Sequence, residues 1–197
     1  LNKSSEFNAF LEDAYTISQL HSKNSDSFGE ILDFSEVDRE SFERLLGQIQ
    51  SNSQEAYQLI QNSNVDFTSK EKQLLEIATS SWLDGVELFQ ASITTLIDNP
   101  GTLQIEESIA SSIVSLSIGD KAYEEFLFLI QQNASIDGTF LPDFYQIRYI
   151  GVEDNSYQFA DLLVDKAKSS SGGLFLKKNL AISGTEFSPM PITFTED

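Results

Sequence analysis

The side chains best suited to chemistry are few. His21 is the only histidine and there is no cysteine, which argues against thiol catalysis and Cys-ligated zinc or iron–sulfur centres. A di-iron site in a helical bundle uses inward Glu-x-x-His pairs, but residue 18, three before His21, is a serine. His21 therefore reads as an ordinary polar or partly buried side chain. A calcium loop of the D-x-D-x-D-G kind is missing, and Asp137-Gly138 reads as a turn. Serine nucleophiles lack both a G-x-S-x-G elbow and a second histidine. Gly172-Gly173 lacks the Lys-Ser/Thr that completes a phosphate loop. The acid pairs Glu106-Glu107 and Glu124-Glu125 are adjacent in sequence, so they diverge around a helix and read as solvated surface. The expectation is a non-enzymatic chain with no catalytic residues, no metal and no cofactor.

One cluster suggests recognition instead. Phe140, Phe144, Tyr145, Tyr149, Tyr157 and Phe159 fall within twenty residues, with Arg148 as the basic side chain among them. Tyrosine and arginine are enriched at binding hot spots, so Phe140, Phe144, Tyr145, Arg148 and Tyr149 are the candidate binding surface. The other role open to these rings is to cap one end of a bundle as its core. Two glycosylation sequons, Asn2-Lys3-Ser4 and Asn133-Ala134-Ser135, also occur.

Charge bounds the partners. Thirty-one acidic residues against 12 basic ones give a net charge of −19, which repels nucleic acid and anionic lipid. The acids are spread along helical faces and not blocked into a tail, which favours a solvating surface or an adaptation to salt over a dedicated cation store. No apolar run approaches the roughly 18 to 20 residues that span a bilayer. The chain begins at Leu1 without an initiator methionine and ends in the extended ITFTED, so it reads as a piece of something longer whose signal or anchor precedes Leu1.

The elements that must position these groups are long helices. Leu75, Ala78, Trp82, Val86, Phe89, Ile93 and Leu96 recur at steps of three and four, one face of a helix from Thr68 to Asn99. Thr68 and Glu71 have capping-box spacing, and Asp98-Asn99-Pro100-Gly101 ends the run. Trp82 is expected to be a buried anchor, its indole N–H partnered by a hydroxyl or carbonyl, with Gly85 letting a neighbouring helix approach the ring. An earlier helix opens at Ser4-Ser5-Glu6. Beyond Ile17 it either continues through His21, Asn24, Phe28 and Ile31 with a polar gap, or breaks at SKNSDS. A second, about 38–62, has a polar middle at QSNSQ and forms a hairpin with the central helix across the short SNVDF connection. A later helical face runs from Ile105 to about Gln132, with a kink or break expected at Gly119-Asp120.

From Ser135 the texture changes. FYQIRYIGV favours extended chain, a helical patch follows at about Ser156 to Lys168, and SSSGG leads into a tail held out of sheet interiors by Pro189 and Pro191. The fold class is thus mainly α, an elongated antiparallel helical bundle with a mixed, partly extended C-terminal segment. Its divisions are a bundle over 1–134, an irregular segment and short helix packed on it over 135–168, and an extended tail over 169–197 that either packs along the bundle or links to a further domain.

Gly119-Asp120-x-Ala122-Tyr123-x-x-Phe126, then Leu141-Pro142, Asn179-Leu180-Ala181-Ile182 and Pro189-x-Pro191, resembles a group of uncharacterised bacterial cell-envelope proteins. In these a membrane anchor precedes a helical ectodomain, and an immunoglobulin-like β domain follows. The resemblance covers about 118–197. It implies an extracytoplasmic, membrane-anchored setting, with anchor and β domain outside this chain, and carries no catalytic or ligand-binding residues. Two functions follow: a structural or protein-binding ectodomain that meets a protein or another envelope component, or a helical ectodomain that senses a small molecule between its helices.

Overall fold

A computed structural model describes residues 3–33, 38–63, 69–99, 101–137, 140–150 and 155–169. Thr68, Pro100, Gly138 and the tail over 170–197 lie outside the described residues. Five helices occur: α1 (Lys3–Asp33), α2 (Arg39–Asn62), α3 (Lys70–Asp98), α4 (Ile105–Asp137) and α5 (Ser156–Ser169). There is no strand among the described residues. The mainly helical expectation holds. No described helix is long and apolar enough to cross a membrane.

Local chemistry sets the helix starts. Asp38 accepts the Ser41 N–H at 2.9 Å to cap α2. The cap of α3 is Ser69, whose hydroxyl accepts the Lys72 N–H at 3.2 Å; the capping serine thus stands one position after Thr68. Lys72 is itself buried and donates from Nζ to the Ser63 carbonyl at 2.9 Å, so the first turn of α3 closes the end of α2.

α1 is a single helix, which resolves the alternative at SKNSDS. The polar gap survives because it faces another polar gap. Asn24 donates to the Ile49 carbonyl at 3.0 Å and to the Ser53 hydroxyl at 3.1 Å, while Asn52 donates to Asn24 Oδ1 at 2.9 Å. The polar middles of α1 and α2 therefore satisfy each other inside the fold.

α4 is likewise continuous, so the break expected at Gly119-Asp120 is absent. A Cβ on Gly119 would lie 2.4 Å from Trp82 Cδ1, and one on Gly85 would lie 2.8 Å from Leu116 Cγ. Gly119 is therefore the residue that admits the indole, whereas Gly85 admits Leu116. The most extensive helix pairing is α3 with α4, not the α2–α3 hairpin. At 33 residues, α4 is roughly 50 Å long.

Pairings show an alternating bundle. Trp82 meets Gly119, Gly85 meets Leu116 and Glu71 accepts from Asn133, so α3 and α4 run antiparallel. His21 lies against Trp82 and Phe28 against Phe89, so α1 and α3 run parallel. α1 touches α4 through Phe10 on Phe126. Farther along, residues 140–150 lie in the seam between these two helices as an irregular strap. Phe144 packs on Phe126 and Tyr15, and the Tyr123 hydroxyl donates to the Tyr145 carbonyl at 3.0 Å. The strap runs antiparallel to α4 and places Tyr149 at the centre of the core.

Candidate functional site

Four elements meet where the strap crosses the middle of the bundle. α1 supplies His21, α3 Trp82, α4 Asp120 and Tyr123, and the strap Tyr149 and Ile150. Trp82 is 0 % exposed, as the periodicity predicts. Its Nε1–H donates to Asp120 Oδ1 at 2.9 Å, so the partner is a carboxylate and not the expected hydroxyl or carbonyl. The same carboxylate accepts the Tyr149 N–H at 3.1 Å and the Ile150 N–H at 3.0 Å. One aspartate thus ties α3, α4 and the strap together. Burial pushes Asp120 above the usual carboxylate range, against the lowering effects of the Ile150, Trp82 and Tyr149 donors and of the Arg148 charge.

His21 is fully buried, not partly so. Its ring lies 4.2 Å from that of Trp82, and Nδ1 is 2.8 Å from the Tyr149 hydroxyl. Nε2 has no hydrogen-bond partner among the described residues. Burial lowers the imidazole from 6.5 to about 3, because an imidazolium there would lose its hydration with no acid in contact to replace it. Burial also raises the Tyr149 phenol, beyond what Asn24 and Ser53 offset, and that of Tyr123. A hydrogen-bonded imidazole and phenol suggest proton transfer, but both side chains are sealed from solvent. Their contact positions the strap.

Outside this core, α4 and the strap border a half-open cleft of about 840 Å³. Ser117, Lys121, Glu124, Gln146 and Arg148 supply its polar rim, with Leu127, Ile147 and Ile150 along its floor. Lys121 donates to Glu124 at 2.6 Å. That bond raises the Lys121 ammonium, while nearby Arg148 opposes the rise.

The predicted recognition cluster is divided. Phe140 is 91 % exposed and Tyr145 43 %. Arg148 is exposed on the cleft rim. Phe144 is half-buried against Phe126, and Tyr149 is core. In the following helix Tyr157 is exposed and Phe159 packs against the core. Some of these rings therefore belong to the core while others lie at the surface. The sequon asparagine Asn133 donates to Glu71. Among the described residues no three of His, Cys, Asp and Glu gather to hold a metal ion.

Sequence reasoning misses Asp120 as an anchor and Lys121 as a cleft residue, because Asp120 stands out in the sequence only as part of an expected helix break. The available signal is the pairing of a glycine with an acid opposite a tryptophan, since a bare backbone beside an indole admits the ring and leaves its N–H facing the neighbouring carboxylate. No family model, curated protein or solved structure matches this chain.

Proposed function

We propose that the chain is a non-enzymatic, extracytoplasmic protein-binding or structural ectodomain of a membrane-anchored cell-envelope protein. The observation that carries docking is Phe140, 91 % exposed together with the half-exposed Tyr145, on a strap held to the bundle by Asp120. Large aromatics on a braced support bind with little loss of conformational freedom. The envelope setting rests on the resemblance of 118–197 alone. A photo-crosslinking residue at position 140 or 145, compared with one at exposed Arg44 on α2, tests docking in intact source cells. One discrete adduct from 140 and 145 but not from 44 is expected; equal or absent labelling at all three rejects it. A membrane-impermeant lysine label that fails to reach the protein in intact cells rejects the external location.

The cleft beside the strap favours a second reading, a small-molecule sensor. A pocket of this volume with a few convergent polar groups suits a small ligand. Sensing further requires that occupancy alter the packing of α4 against its neighbours.

A further inference from the structure

The charged groups around the cleft are not equally available. Asp120 accepts N–H bonds from Trp82, Tyr149 and Ile150. Glu124 is engaged by the Lys121 ammonium at 2.6 Å. Arg148 is different. Among the described residues it makes no ion pair and no hydrogen bond, although Asp120, Lys121 and Glu124 all lie within reach of its field. A guanidinium with all its donors open is unexpected in a chain where acids outnumber bases 31 to 12.

We propose that the cleft between α4 and the strap binds a small organic monocarboxylate with an apolar body, its carboxylate on Arg148 and its body over Leu127, Ile147 and Ile150. This deepens the small-molecule reading and is independent of the docking one. The planar fork of a guanidinium takes both oxygens of a carboxylate in parallel hydrogen bonds. Gln146 and Lys121, on the same rim, offer further donors. Charge alone does not select within the anions, since a dianion doubles both the attraction of Arg148 and the repulsion of a −19 molecule; phosphate is disfavoured because it offers nothing to the apolar floor. Cations are attracted at long range but find both cleft acids already paired. The apolar floor separates a short fatty acid from acetate, which brings the charge without the body.

Titration of the intact chain with hexanoate, acetate, inorganic phosphate and hexylamine tests this, read by calorimetry and by amide shifts over 117–127 and 146–150. Hexanoate is expected to bind in the millimolar range, acetate more weakly, phosphate and hexylamine not detectably. Arg148→Gln should weaken hexanoate about tenfold or more, the loss of one charge-assisted bidentate contact, whereas Arg44→Gln on α2 leaves it unchanged. Arg148 is exposed, so the variant should keep the parental melting temperature. Equal binding of hexylamine, undiminished hexanoate binding to Arg148→Gln, or no shift in either segment overturns the site. Hexanoate binding with unchanged shifts in α1 and α3 upholds the site while rejecting the sensor.

Discussion

The His21 imidazole is neutral in the folded chain, and that gives the protein a pH dependence with a definite sign. Burial lowers it from 6.5 to about 3, so the unfolded chain takes up a proton below pH 6.5 that the folded chain refuses. The stability it supports is complete above pH 6.5 and is lost as pH falls towards 3. Between pH 7.5 and pH 5 the loss amounts to about 2 kcal/mol. Asp120 acts in the opposite sense. Its raised affinity for a proton favours the folded state as pH drops through its folded value, so an acid-induced loss in this window belongs to the histidine. Urea unfolding at pH 7.5, 6.5 and 5.0 should show the decline in the parent and in Asp120→Asn. His21→Gln should flatten it, whatever its stability at pH 7.5. A decline of equal slope in His21→Gln would assign it elsewhere.

Glycines within helices separate local preference from packing. A Cβ added to Gly47 on α2 would meet nothing within 4 Å, whereas one added to Gly119 on α4 would press into the Trp82 ring. Gly47→Ala should therefore stabilise by about 0.5–1 kcal/mol, the ordinary helix preference. Gly119→Ala should instead destabilise by about 1–3 kcal/mol through overpacking. Thermal melts of the two variants check this, and shifts of the same sign would contradict it. The same contrast explains what can be read in advance. The face through Leu75, Trp82, Phe89 and Leu96 is legible because a 3.6-residue period is a local property. The span of α4 is not, because what keeps Gly119 helical is an indole on another helix. Asn24 and Ser53 look like interruptions until their partners across the bundle are known. Of the recognition cluster, composition identifies the region, but only the placement of the strap in the seam assigns Tyr149 to the core and Phe140 to the surface.

A net charge of −19 on 197 residues makes the whole molecule repel itself, and its described ion pairs are mostly exposed contacts such as Lys121 with Glu124 and Lys168 with Glu106. Such pairs contribute little, so screening should relieve more repulsion than it removes attraction. Raising sodium chloride from 10 mM to 500 mM should stabilise by about 1 kcal/mol, or about 2–4 °C in melting temperature; a fall with salt would mean that attractive pairs dominate. The strap also orders events in time. His21 and Tyr149 are 128 positions apart, and contacts that distant form only after a large loop has closed. During synthesis α1, α2, α3 and α4 are all polymerised before Tyr149 exists. Until it arrives, the nascent bundle has an open flank beside His21 and Trp82. A chaperone that recognises unfinished apolar surface has its opportunity in that interval, which ends when the Asp120 carboxylate accepts the backbone N–H groups of Tyr149 and Ile150.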